Sequence, residues 1–254
     1  MISFNELKEI KSHDPMLVGN NLTYFSLGYY PKDELNKILP KALSIPSDEI
    51  MAKEYPTAKK VDGMHPFLLM FSRCFNVHDR ATEWELRPYL ELIFYFPVTY
   101  KHKDEEQLCS YLPVLYLDFL IGVIGGLYLS LRKEFHPKMT YEGTDTSGSY
   151  LSKGIIDASF TQTSTENKDE LDPFFAQIFK KPTLTISYLN QTRFYKALLY
   201  PTKVVDASAA YEWNYKGSVI KNDENTFANY CEYSFSTSRS MSYKKYFNPT
   251  YPVD

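Results

Sequence analysis

Between Tyr89 and Tyr100 the chain reads YLELIFYFPVTY, and its residues sort onto two faces. Leu90, Leu92, Phe94 and Phe96 fall on one side of an extended strand, and Tyr89, Glu91, Ile93 and Tyr95 on the other. The first set is wholly apolar; the second carries one charge. HPFLLMFSRCF (His65–Phe75) and LTYFSLGYY (Leu22–Tyr30) predict two further strands. SYLPVLYLDF and GVIGGLYLSL predict another two, and Lys153–Thr161 one more. PTLTISYL, RFYKALLYP and VVDASAAYEWNY continue the strand pattern. PKDELNKILPKAL breaks it. Pro31 at its start, acids in the first turn, and Leu35, Ile38 and Leu39 at helical spacing predict a short amphipathic helix ended by Pro40.

Polar stretches separate these elements. Residues 47–65 predict a loop with one helical turn at most. KHKDEEQ reads as a charged turn, Gly143–Gly148 as a turn-rich connection and TSTENKDELD as a solvated loop. Residues 1–20 read as an N-terminal helix or arm, and the tail from residue 236 to 254 as an arm or peripheral strand. No repeat and no clear linker divides the chain. The expectation is one α+β domain over residues 1–254, mainly antiparallel β, built as a barrel or sandwich.

Composition supports this. A chain of 254 residues is long enough to bury a sizeable core. Its 22 Tyr and 17 Phe favour strands, because aromatic side chains suit pleated, half-buried surfaces. A net charge of −3 gives no footprint for nucleic acid. Cys74, Cys109 and Cys231 are far apart and show no CxxC spacing, and the histidines form no HxxxH pattern. No metal site or disulfide framework is expected, and a reducing, cytoplasmic setting fits.

One run bears on membranes. Leu112–Leu131, LPVLYLDFLIGVIGGLYLSL, has a single charge and is long enough to span a bilayer. Asp118 near its centre would cost about 2.5–3.5 kcal/mol on insertion. Pro113 and the glycines Gly122, Gly125 and Gly126 favour strand–turn–strand over one uninterrupted helix. The chain has no GxGxxG, no GxxxxGK[ST] and no GxSxG elbow, and nucleotide binding by those routes is not expected.

The order of several segments resembles the acetoacetate decarboxylase family. LTYFSLGYYPKDELNKILPKALSI is similar to its N-terminal strand and helix. YLELIFYFPV resembles its strand bearing an active-site glutamate, with Glu91 at that position. YLPVLYLDFLIGVIGGLYLSLRKEFHPK resembles its Tyr-Leu-Asp segment, glycine and lysine-bearing turn. PTLTISYL through YEWNYKGS resembles later strands. The likeness covers residues 22 to about 220.

The resemblance implies a closed, cone-like β-barrel with a few peripheral helices, and a buried lysine that forms a Schiff base with a β-keto acid or related carbonyl compound. It implies CO2 release, no cofactor and a homo-oligomer. The lysine turn departs from the family pattern: Leu127-Tyr128 replaces Arg-Glu, and the aromatic-Pro step before the lysines is absent. By spacing, Arg132 occupies the nucleophile position. A slip of one residue makes Lys133 the nucleophile and Arg132 the cation beside it. Where the family carries an arginine for the substrate carboxylate, this chain has Tyr29-Tyr30; Arg73 and Arg87 are possible substitutes.

The residues themselves leave alternatives open. Lys133 is either a buried amine or the charged end of a strand, and Lys138 is a second candidate amine. Glu91 is either a carboxyl among aromatics, with a raised pKa suited to moving a proton, or part of a solvent-facing surface. The candidate site is Lys133, Glu91 and Arg132 for chemistry, with Tyr29, Tyr30, Tyr89 and Tyr95 around the substrate. A non-catalytic module binding an apolar ligand, and an imine-based aldolase or hydratase, are the alternatives.

Overall fold

The computed structural model describes residues 17–79, 84–102, 104–128, 133–143, 147–153, 155–162, 173–181, 183–186, 194–199, 206–217 and 234–245. Among these lie fifteen strands and four helices, a mixed α+β fold dominated by β structure.

Strand β1 (Leu17–Pro31) leads into helix α1 (Lys32–Ile38), which starts at Pro31 and carries Asp33 and Glu34 in its first turn, as the sequence predicts. The short β2 (Leu43–Ser44) follows. Helix α2 (Asp48–Glu54) then occupies the stretch expected as loop. Its signal is a cap: Ser47 Oγ accepts the Ile50 N–H at 3.3 Å, with Asp48 and Glu49 favourable beside the helix N-terminus.

Strands β3 (Met64–Asp79), β4 (Glu85–Leu86), β5 (Tyr89–His102), β6 (Glu105–Leu112) and β7 (Leu115–Leu117) come next. The predicted strand at GVIGGLYLSL is instead helix α3 (Leu120–Tyr128). A short, continuously apolar run has no period to separate a strand from a helix, and here the helix forms. The run Leu112–Leu131 is therefore split between strand and helix. No helix among the described residues is long and apolar enough to cross a membrane.

Beyond it stand β8 (Lys133–Phe135), β9 (Met139–Gly143), β10 (Ser147–Ser152) and β11 (Ile156–Gln162). Helix α4 (Pro173–Lys180), which the sequence reading did not include, is followed by β12 (Thr183–Ile186), β13 (Phe194–Leu199) and β14 (Asp206–Gly217). All of TSTENKDELD lies outside the described residues, as do residues 1–16 and 246–254. β15 (Ser234–Lys245) overlaps the tail expected from residue 236 as an arm or peripheral strand, and pairs with β1, β13 and β14.

The strands form one sheet in the order β1-β3-β5-β6-β12-β13-β15-β14-β11-β10-β9. β1 pairs with β3 on one side and β15 on the other. β7 pairs with both β5 and β8, which brings β8 onto the sheet beside β5's partner.

Alternation divides β3 and β5 between two cores. Phe67, Leu69, Phe71, Leu92, Phe94 and Phe96 pack with Tyr150 and Ile156 on one side. Leu68, Met70, Tyr89, Ile93 and Tyr95 pack with Phe119 and with Phe174, Phe175 and Ile178 of α4 on the other. The largest fully buried side chains are all Tyr or Phe, so the aromatic excess fills the interior.

Candidate active site

Lys133 is the first residue of β8, and its register fixes its face. Met70, Ile93, Leu115 and Lys133 lie opposite one another across β3, β5, β7 and β8. The next row on the same face is Ser72, Glu91, Leu117 and Phe135. Directly opposed residues project to one side of a sheet, and so do residues two apart along a strand. Lys133 and Glu91 therefore share the face that holds Met70, Ile93, Leu115, Leu117, Tyr89 and Tyr95.

Both charged groups are buried: Lys133 is 9% exposed and Glu91 5%. Burial pulls the Lys133 ammonium below the usual lysine range, while the Glu91 carboxylate and Cys74 oppose the shift. Desolvation is the largest of the three effects, so the site favours a neutral amine more than bulk water does. Lys133 is thus not the solvated end of a strand, and Glu91 is not on a solvent-facing surface.

Of the four tyrosines expected around the substrate, Tyr29, Tyr89 and Tyr95 belong to the cluster on the Lys133 face. Tyr30 belongs to the opposite cluster, packed against Phe96 at 5.9 Å between ring centroids. Adjacent residues on β1 alternate, so the Tyr29-Tyr30 pair cannot serve one pocket. Arg132 lies outside the described residues. Lys138 sits exposed in the turn between β8 and β9. Arg73 is exposed, and Arg87 is engaged elsewhere: its Nη2 donates to the Asp118 carbonyl at 2.9 Å and its guanidinium lies 5.1 Å from the Phe119 ring centroid.

Three neighbours escaped sequence reasoning. Cys74 is fully buried and shares the parity of Ser72 and Met70 on β3, so alternation alone gives its face once the register is known. Tyr150 comes from β10, and its hydroxyl donates to the Glu91 carbonyl at 3.0 Å. Burial, reinforced by Asp118, Glu91 and Cys74, holds that phenol protonated, well above its ordinary range. Asp118 Oδ1 accepts the Leu90 N–H at 2.8 Å, one residue before Glu91. No group of three or more His, Cys, Asp or Glu side chains able to hold a metal ion occurs among the described residues.

No protein-family model matches the chain, and no curated protein matches it. Solved structures do. Acetoacetate decarboxylase from Legionella pneumophila superposes with a TM-score of 0.58 at 15% identity, covering 95% of this chain and 94% of that one. A further acetoacetate decarboxylase structure gives a TM-score of 0.54 at 14% identity, over 98% of this chain and 100% of that one. The enduracididine biosynthesis enzyme MppR, complexed with pyruvate, gives 0.53 at 10% identity, over 96% and 94%. The chain has the acetoacetate decarboxylase-like fold over nearly its whole length.

Proposed function

We propose that this chain is an acetoacetate decarboxylase-like enzyme that forms a Schiff base between Lys133 and a small carbonyl compound, a β-keto acid in the first instance. The observation that carries the proposal is the burial of Lys133 on one face with Glu91, among apolar and aromatic side chains. The shared fold supports it, as does the lowered affinity of Lys133 for its proton.

The chemistry uses groups already described. Neutral Lys133 Nζ attacks the ketone carbon and the nitrogen passes a proton to the new oxygen. The carbinolamine hydroxyl then takes a second proton from solvent and leaves as water, giving a protonated imine. The C–C bond to the carboxylate then breaks. Its electron pair moves into the iminium, CO2 leaves and an enamine remains. Glu91 takes up a proton from solvent and passes it to the enamine carbon. Water then adds to the re-formed imine and releases the ketone, the free amine and a proton to solvent, leaving Glu91 as the carboxylate. Arg132, next to Lys133 in sequence, supplies a cation that disfavours the ammonium without competing as a nucleophile. Tyr29, Tyr89 and Tyr95 form the aromatic wall against the substrate body.

A closed, cone-like barrel belongs to the same reading, supported by the pairing of β1 with both β3 and β15. Self-association belongs to it as well: Leu120, Ile121 and Ile124 expose about half of their surfaces on α3, an apolar face suited to a second copy. An imine-based condensation is the second reading. It is supported by the likeness to the pyruvate complex of MppR. The test is CO2 release from acetoacetate and larger β-keto acids, compared between the protein and its Lys133→Ala variant. Release that depends on Lys133 supports decarboxylation. Consumption of keto acid without CO2 favours condensation, and no reaction with either class counts against both.

A further inference from the structure

We propose that Asp118 and Tyr150 are positioning residues that clamp β5 at Leu90–Glu91 and so fix the Glu91 carboxylate relative to Lys133. Two side-chain contacts from distant parts of the chain converge there. Asp118 Oδ1 takes the Leu90 N–H at 2.8 Å, and the Tyr150 hydroxyl donates to the Glu91 carbonyl at 3.0 Å. One held group precedes the Leu90 Cα and the other follows the Glu91 Cα. Only the backbone torsions of these two residues lie between them, because the peptide units themselves are planar. The direction of the Glu91 Cα–Cβ bond is thereby set.

Each arm of the clamp is itself held. The Asp118 N–H donates back to the Leu90 carbonyl at 3.3 Å, and the Asp118 carbonyl accepts Arg87 Nη2 at 2.9 Å. The Arg87 guanidinium lies over Phe119, which stacks on Tyr89 at 5.6 Å between centroids. The Tyr150 ring packs on Phe71 at 4.6 Å, on the face of the sheet opposite Glu91. An aspartate accepting a backbone N–H makes a charge-assisted bond, stronger than a neutral pair. Asp118 also directly follows β7, the strand that lies between Glu91 and Lys133, and begins the connection through α3 toward β8. The same residue thus ties the route to Lys133 to the strand of Glu91.

The catalytic consequence rests on the Schiff-base reading, but the clamp is measured without substrate. The probe is the apparent pKa of Lys133, read by competitive acetylation across a pH series with mass spectrometry. The titratable groups whose charges act on Lys133 are Glu91 and Cys74, and those whose charges act on Tyr150 are Asp118, Glu91 and Cys74. In the otherwise native protein, Glu91→Gln removes a charge that favours the ammonium and lowers the Lys133 value. The clamp predicts that this lowering is at least halved in a Tyr150→Phe background, which deletes only the hydroxyl and keeps the ring on Phe71. Asp118→Ala, which removes the acceptor of the Leu90 N–H, gives a second background with the same expectation, and thermal melts confirm that each variant is folded. An undiminished lowering in folded Tyr150→Phe overturns the proposal. Failure to trap an imine would count against the Schiff-base reading and leaves this coupling measurement intact.

Discussion

Glu91 and Lys133 face the same side of the sheet with β7 between their strands, both nearly closed to solvent, and their charges act in opposition to burial. The Glu91 carboxylate raises the Lys133 pKa while desolvation lowers it further than Glu91 can restore. Glu91→Gln leaves burial acting against a smaller opposing charge. The Lys133 pKa is expected to fall, and the proposed imine to form at lower pH than in the native protein. In the proposed mechanism product protonation loses its acid, and turnover is expected to drop by about 10²–10⁴. Borohydride trapping across a pH series, beside steady-state turnover, separates the two effects.

A second prediction concerns pH and stability. His65 is fully enclosed, and its Nε2–H donates to the Pro97 carbonyl at 2.7 Å. Burial pushes its pKa down from 6.5 to about 4. Between those values the unfolded chain binds a proton that the folded chain refuses, so stability falls as pH drops from about 6.5 to 4. The loss attributable to this group reaches roughly 3 kcal/mol at the lower limit and grows no further below it. Urea unfolding of the native protein and His65→Gln at pH 7 and at pH 4.5 checks this: the variant is expected to show a flatter dependence.

The cap of α2 gives a local test. Ser47 Oγ satisfies the Ile50 N–H, one of the helix's unpaired donors. Ser47→Ala is expected to cost about 1 kcal/mol, and Ser47→Asp about nothing. Equal destabilisation by both, measured in denaturant, contradicts the capping role.

Leu92 separates stability from chemistry. It adjoins Glu91 in sequence but is fully buried in the opposite cluster, with Phe71 and Phe94. Leu92→Ala is expected to cost about 2–5 kcal/mol through the cavity it leaves. Well below the melting temperature its trapping yield at Lys133 stays close to native. A selective loss of trapping in a protein that remains folded would place Leu92 in the site instead.

How much of this was legible follows from where the physics is local. The alternation in YLELIFYFPVTY gave the two faces of β5, and with them the company of Glu91, because period two is a property of one strand. The helix after Pro31 was equally plain. The face of Lys133 was not, since it depends on β8 pairing in parallel with β7, a contact that no local pattern encodes. The split of Tyr29 from Tyr30 was available from alternation, yet the resemblance to a family position obscured it. Tyr150 carries no local mark at all: it joins Glu91 only because β10 folds across β3 and β5. Helix α3 was missed because an unbroken apolar run is ambiguous, and α2 because a single capping serine is a weak signal among polar residues.

The proposed function stands on imine formation at Lys133. The direct measurement is borohydride reduction of the protein in the presence of acetoacetate, and separately of pyruvate, followed by peptide mapping by mass spectrometry. A stable adduct is expected on Lys133, one that disappears in Lys133→Ala and forms on no other lysine to comparable extent. A folded native protein that yields no adduct with any carbonyl compound tried, or an adduct on Lys138 in its place, contradicts it.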